Sequence, residues 1–406
     1  MALLALVPAA SGQSNTTAAA SAGGELCGAA SAAFAAQPGY LRGAGGTQLG
    51  LVGYLCPSCP QSPDPELLFA TVHKGYTVVV VSFLMWTSGG AIVENINGGG
   101  TKQQQNFTFA RRHVQGLQNK GKKVFITVGG STAGSLNCAP GSGFGTKFAL
   151  GVLDVVSRYG FDGVDFDVEH RSGSDFGRCA TLVGGIMQQL KKAKPALLLS
   201  VVPQEPNLDP LATKISAGHN EEAPLVAGYQ GCLDHVGVQM YNSYVAAEGV
   251  AFAKQYAADV VQKGFSTKSA AGHTYTVKLP AAKLVLGFPA APAAANTGYV
   301  DPPALVTMVE QLRAGGIDVH ALLTWSIGFD QRQNWAFAKA VASAPSTPTP
   351  PPSPPSPPPT PAKVPTPPPT PKGIKYSCNW NPSPKCVADP LGWATLTQCK
   401  GVCHTN

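Results

Sequence analysis

Short apolar runs recur along most of the chain, and stretches whose apolar positions repeat at helical spacing lie between them. The strand-like runs are Leu49–Leu55, Thr77–Leu84 around Val78–Val81, Lys123–Val128, an acidic stretch ending at Glu169, Ala196–Val202, Asp234–Tyr241, Lys283–Phe288 and His320–Ser326. The spacing predicts helices over Arg111–Lys120, Ala149–Tyr159, Phe176–Lys194, Phe252–Lys263, Pro303–Ala314 and Trp335–Ser343. Continuously apolar strands separated by helices belong to a parallel sheet covered on both faces. Repeated eight times, the unit predicts an α/β fold of the (β/α)8 TIM barrel type over residues 47–344. An open Rossmann sheet would want a G-x-G-x-x-G turn after an early strand, and none occurs there. In such a barrel the chemistry belongs at the C-terminal ends of the strands.

The pattern fails at both ends of the chain. Residues 1–46 are rich in Ala, Gly, Ser and Thr without a sustained period, which predicts a flexible leader. Its first ten residues, Met1 to Ala10, hold a short apolar run without a positive n-region, as in a truncated or atypical signal. Residues 345–372 are Pro with Ser and Thr, a composition that builds no core and favours a semi-rigid polyproline spacer over an SH3-type ligand. Residues 373–406 carry Cys378, Cys386, Cys399 and Cys403 in a segment too small for a core, so a small disulfide-rich C-terminal module is expected rather than a zinc site. There Tyr376, Trp380 and Trp393 either stack on sugar rings of a wall polysaccharide or supply the module's apolar material; the sequence leaves both open.

Composition narrows the setting. A formal charge of +7 without a long basic run reads as a solvated surface and excludes a nucleic-acid footprint. No apolar run is long enough to span a bilayer, so no membrane partner is expected. Ten cysteines and the sequons at Asn15 and Asn106 fit an oxidising compartment, and a secreted or wall-associated monomer is expected. Cys56-Pro57-Ser58-Cys59 follows a strand and reads as a local disulfide rather than a redox pair, while pairing among Cys27, Cys138, Cys179 and Cys232 stays open.

The acidic stretch carries the candidate chemistry. Side chains alternate across a strand, so Asp165, Asp167 and Glu169 share one face and Val164, Phe166 and Val168 the other. Same-face neighbours stand roughly 6.5 Å apart. Three acids so close repel, which raises the proton affinity of at least one and suits a general acid working near neutral pH. A metal site is the sharper rival, but the nearby His170 is aimed away by the same alternation. Other strand ends offer Thr127-Val128-Gly129-Gly130, where paired glycines would let a ligand approach the backbone, Pro203-Gln204, Gln239-Met240-Tyr241-Asn242 and Leu323-Thr324-Trp325-Ser326.

The spacing Asp162-x-x-Asp165-x-Asp167-x-Glu169 resembles the D-x-x-D-x-D-x-E signature of glycoside hydrolase family 18, the chitinases and their relatives. The resemblance runs from about Leu49 to Ser343. It implies that Glu169 protonates the glycosidic oxygen, that Asp167 orients the substrate's N-acetyl group, and that Asp165 is its buried partner. It further implies that Tyr241 hydrogen-bonds the acetamide carbonyl and that Trp325 floors the cleaved sugar, with Gln239 and Asn242 as further ligand contacts. Hydrolysis of chitin or chito-oligosaccharide by a retaining, substrate-assisted route, without metal or cofactor, is what the family pattern implies. Two departures stand out: Thr127 replaces the Ser of the Ser-x-Gly-Gly motif, and Gly328 with Phe329 stands where Asn is common. The absence of a long insertion beyond Ser243–Ala282 resembles the compact plant and fungal form, for which a shallower groove and endo action are expected. Other N-acetylated glycans, cleaved by an endo-N-acetylglucosaminidase, and a non-catalytic chitin-binding lectin are the alternatives; the lectin predicts loss of Glu169 or Asp167, and both are present.

Overall fold

The computed structural model describes residues 27, 39–97, 99–172, 175–243, 249–345, 376–379 and 385–388. The chain divides into two units, Met1–Pro348 and Thr349–Asn406. In the first, eight parallel strands close on themselves: β1 (Gly50–Leu55), β2 (Val78–Trp86), β3 (Lys123–Gly129), β4 (Gly163–Asp167), β5 (Leu198–Val201), β6 (His235–Gln239), β7 (Leu284–Pro289) and β8 (Ala321–Trp325). Each pairs with its neighbour in sequence, and β1 pairs with both β2 and β8. The (β/α)8 barrel expected from the periodicity is the fold of this unit.

Why the strands sit in this register is visible at their starts. Asp162 donates its backbone N–H to Val124 O (2.8 Å) and accepts the Val124 N–H on its carboxylate (2.9 Å). Asp234 repeats the device on Leu199, at 2.7 and 2.8 Å, and Thr77 does the same with its hydroxyl on Leu51. Gln118 and Lys123 also bond the Asp162 carboxylate. The first acid of the motif is therefore a staple at the base of the barrel, at the far end of β4 from the other three.

Period-two alternation sorts the core into two bodies. Val52, Val78, Val80, Phe125, Val202, Val285 and Leu323 fill the barrel interior. Val164, Phe166 and Val168 face outward with the helices. Gly163 has no side chain because the Phe125 ring occupies the space, 2.6 Å from where a Cβ would stand.

The helical layer includes α1 (Pro65–Thr71), α2 (Arg111–Gln118), α3 (Phe144–Tyr159), α4 (Phe176–Ala193), α5 (Ala223–Tyr229), α6 (Gly249–Ala258), α7 (Pro302–Ala314) and α8 (Ala336–Ala342), with short helical turns at Lys102–Asn106 and Ile327–Arg332 besides. α1 and α5, seven residues each, are not among the helices expected from the sequence pattern, whereas α8, of the same length, is. α3 starts five residues before the expected Ala149, where Phe144 and Phe148 pack one turn apart with tilted rings (centroids 5.9 Å) and both are buried. After α6 a π turn, Asp259–Lys263, replaces the expected continuous helix, with Asp259 bonded to Gln255 and Lys263. An antiparallel ribbon, Phe265–Lys268 with Thr274–Val277, occupies the connection to β7.

Residues 39–46, grouped by composition with a leader, are ordered under the barrel. Leu41 is fully buried with the interior core. Tyr40 meets the Phe125 and His235 rings, its hydroxyl 2.8 Å from His235 Nδ1. Burial pulls the His235 pKa down to about 3, so the ring is neutral there. Among the described residues three disulfides form: Cys27–Cys232, Cys138–Cys179 and the expected local Cys56–Cys59.

Of the second unit, Tyr376–Asn379 and Lys385–Ala388 pair antiparallel with Cys378 opposite Cys386. The proline-rich segment, Trp380, Trp393, Cys399 and Cys403 lie outside the described residues, as does the sequon at Asn15.

Asp330 ties the last helix to the barrel. Its carboxylate accepts the Tyr76 hydroxyl (2.7 Å) and the Phe337 and Ala338 N–H groups at the start of α8 (2.8 and 3.2 Å). Asp330→Ala strands three buried donors, each costing on the order of 1–3 kcal/mol. Urea denaturation should show a loss of roughly 3 kcal/mol or more, and an unchanged midpoint would deny this residue its clasp.

Candidate active site

β4 delivers three carboxylates to the mouth of the barrel in steps of increasing exposure. Asp165 is buried, Asp167 is 6% exposed, and Glu169 is half-buried at the rim. His170 is exposed.

Asp165 is held by three hydroxyls. Tyr54 (2.7 Å) and Thr127 (2.9 Å) donate to Oδ2, and Ser200 (2.6 Å) donates to Oδ1. Thr127 and Ser200 are its register partners on β3 and β5, so the sheet itself aligns donor and acceptor. The Thr that departs from the Ser-x-Gly-Gly pattern keeps the one atom this contact uses. Burial pushes the Asp165 carboxyl above the usual range, and the three hydroxyls oppose the shift.

Asp167 accepts from Gln239 Nε2 at 3.0 Å, an amide also bonded to Val202 O at 3.0 Å. Burial first, then the Glu169 and Asp165 charges, drive its proton affinity well above the usual range. Glu169 accepts from Gln204 Nε2 at 2.9 Å. Burial raises its proton affinity too, against the pull of His170 and the amide bonds. Gln204 and Gln239 are bridged through their backbones, so the two amides that hold the two acids are fixed to each other.

Asp167 and Glu169 head a cleft of about 540 Å³, with Asp165 buried beneath them. Asp167, Glu169, Gln239, Tyr241, Asn242 and Trp325 all line it. Trp325 packs on Tyr54 and Phe83 (centroids 6.1 and 5.9 Å). Burial, then the Asp167 charge, raises the Tyr241 pKa well above its usual value, so its hydroxyl keeps its proton. Asn242, at φ 57°, accepts the Asn296 N–H at 2.9 Å and so pins the wall formed by 293–296.

Two sequence expectations are placed differently. Gly130 is not part of the cleft lining. The close approach that Gly129 and Gly130 permit is to protein: a Cβ on Gly129 would lie 1.9 Å from Asp167 O, and one on Gly130 2.7 Å from Phe83. Gln204 is likewise absent from the lining and acts on Glu169 instead. Sequence reasoning missed Tyr54, Ser200, Phe83 and the cleft-lining Cys56–Cys59 loop. Ser200 had a signal, as the one hydroxyl inside the apolar run Leu197–Val202; Phe83 had none.

A parallel barrel with paired carboxylates at the C-terminal end of one strand, flanked by an aromatic floor and a buried tyrosine, defines a glycosidase-type site. Residues 51–337 match the family model described as glycosyl hydrolases family 18, and the chain belongs to that family. A chitinase of Enterococcus faecalis is 27% identical over 289 residues, covering 68% of this chain and 77% of that protein. Chitinase D of Niallia circulans is 25% identical over 257 residues, 55% of this chain and only about half (49%) of its own length. Among solved structures, a family 18 chitinase from Chromobacterium violaceum superposes with a TM-score of 0.60 at 22% identity, over 73% of this chain and 83% of that one.

The raised proton affinity of Asp167 has a consequence for stability. Unfolded, the group releases its proton near the ordinary aspartate value of about 4. Folded, it holds the proton to higher pH, so the native state binds more protons and loses stability as pH rises through that interval. The Tm of the parent should fall more steeply as pH rises above about 4 than that of Asp167→Asn. Parallel curves in a scanning-fluorimetry series would mean that Asp167 ionises as in the unfolded chain.

Proposed function

We propose that the protein is a chitinase that hydrolyses β-1,4-linked N-acetylglucosamine polymers with retention, using the substrate's own acetamide as nucleophile. The observation that carries this reading is the allocation of the acids. A retaining enzyme with a protein nucleophile needs a second carboxylate across the sugar from the acid, roughly 5 Å away. Among the described residues the cleft is lined by two carboxylates, Asp167 at the end of β4 and Glu169 two residues beyond it, each held by a glutamine. Such a pair suits one proton donor and one orienting group, not two attacking faces.

In the first step Glu169 gives its proton to the glycosidic oxygen as the C1–O bond breaks, and the acetamide oxygen forms a bond to C1. The resulting oxazolinium carries its positive charge next to Asp167, whose carboxylate accepts the acetamide N–H. Tyr241, kept protonated by its surroundings, donates to the acetamide oxygen and aligns it with C1. Trp325 supplies an apolar floor. In the second step the Glu169 carboxylate takes a proton from water, the water oxygen bonds to C1, and the ring opens to regenerate the acetamide. Asp165, anchored by its three hydroxyls, is the charge against which Asp167 is poised. An extracellular setting is part of the proposal, supported by the three disulfides.

Product release from a chito-oligosaccharide, with the anomer read at once by proton NMR, tests the scheme. The β-anomer should appear first, and Glu169→Gln should lower kcat by about 10²- to 10⁴-fold. Initial α-anomer would refute retention, and binding without cleavage by parent and variant alike would favour a lectin. Tyr241→Phe, which loses one hydrogen bond of about 1 kcal/mol or more, should lower kcat by roughly tenfold with the Glu169 pH dependence preserved.

A further inference from the structure

Two residues beyond Glu169 the chain carries Arg171, whose side chain is 2% exposed. Its guanidinium reaches two carboxylates, Glu221 at 3.3 Å and Glu222 in a close pair, themselves 9% and 4% exposed. A buried cation with two buried anions is expensive to assemble, and its retention points to a task other than stability.

The surrounding chain shows where that task lies. Residues 204–222 form one loop. At its start, Gln204 donates to Glu169. At its end, Glu221 and Glu222 hold Arg171 and lead into α5. Between them Asn220, at φ 55°, bonds Asp209 and Ala212 through its amide, while the Asn220 and Glu222 N–H groups return to Pro206 O and Asn207 O. One folded loop therefore grips the chain at Glu169 and just beyond it: at the Glu169 carboxylate and at the Arg171 guanidinium two residues on. The other flank is also tied, since Leu136 donates to His170 O and Leu136–Asn137 pairs with Arg171–Ser172, next to the Cys138–Cys179 disulfide.

We propose that Arg171 is a positioning residue for the reaction: paired with Glu221 and Glu222, it fixes the backbone that presents Glu169 and balances the negative charge standing behind Asp167. This rests on the assignment of Glu169 and Asp167 in the proposed function. Besides Asp165 and Glu169, the groups facing Asp167 are Glu222, which is paired with Arg171, the Gln239 amide, and the Tyr241 and Tyr54 hydroxyls. Glu222 adds to the proton affinity of Asp167, so the cluster acts on that acid as well as on the position of Glu169.

Arg171→Met would bury two unopposed carboxylates and is a poor probe, because it endangers folding. Two milder variants separate the two halves of the proposal. Glu222→Gln removes one charge and keeps a hydrogen-bonding side chain; its acid limb of kcat/KM should move to lower pH. The Asp167 carboxyl, followed by 13C NMR in aspartate-labelled protein, should titrate lower by the same interval. Arg171→Lys keeps the charge but cannot bridge both glutamates in a fork. It should leave the pH limbs in place and lower kcat by roughly ten- to a hundredfold, with KM little changed.

An unmoved Asp167 titration in folded Glu222→Gln, or full kcat in Arg171→Lys, overturns the proposal. The NMR titration needs no turnover, so an inactive parent that still shows the shift would reject the substrate assignment while supporting the charge coupling.

Discussion

The grip of three hydroxyls on Asp165 is the contact on which the rest of the site depends. A carboxylate fully inside a barrel is tolerable only with its lone pairs occupied. Here the donors come from β1, β3 and β5, so the contact can form only in a closed barrel of the right stagger. In this sense the fold is a condition of the chemistry. A one-residue slip of β4 would turn Asp165 into the helical layer and Val164 towards the hydroxyls.

With that acid fixed, the pleat carries the next one outward by one step and Glu169 by another, into progressively wetter surroundings. Each acid is then partnered by a different kind of group: hydroxyls for Asp165, an amide shared with a backbone carbonyl for Asp167, and an amide at the rim for Glu169. The three groups thus have unequal environments although they share a strand and a face, and unequal environments let like acids take different roles.

Much of this was legible along the chain. The apolar runs marked all eight strands, because a strand buried on both faces must be continuously apolar. The acid spacing survived because a period of two is rigid. The misses follow from physics that a one-dimensional pattern does not carry. Tyr54 and Ser200 matter only through register with strands far away in sequence. Residues 39–46 look like the small-residue stretch before them, yet Leu41 is drawn into the barrel by a vacancy that no local feature announces. Gly129 and Gly130 read along the chain as a place where a ligand approaches the backbone; what lies against them is the Asp167 backbone and the Phe83 ring.

The ring closes between its first strand and its last, β1 against β8, and Arg42 meets Asp318 across the same seam. For a chain made from its N-terminus, that geometry sets a timetable. β1 can pair with β2 early, but its other edge stays open until β8 has been synthesised. The pairing that completes the barrel is thus among the most distant in sequence, the kind of closure that slows folding and leaves a strand edge exposed meanwhile. A nascent chain of this design is a curved open sheet for most of its synthesis. The acids of β4 acquire their full surroundings only at the end, when β1 is locked in place with Tyr54.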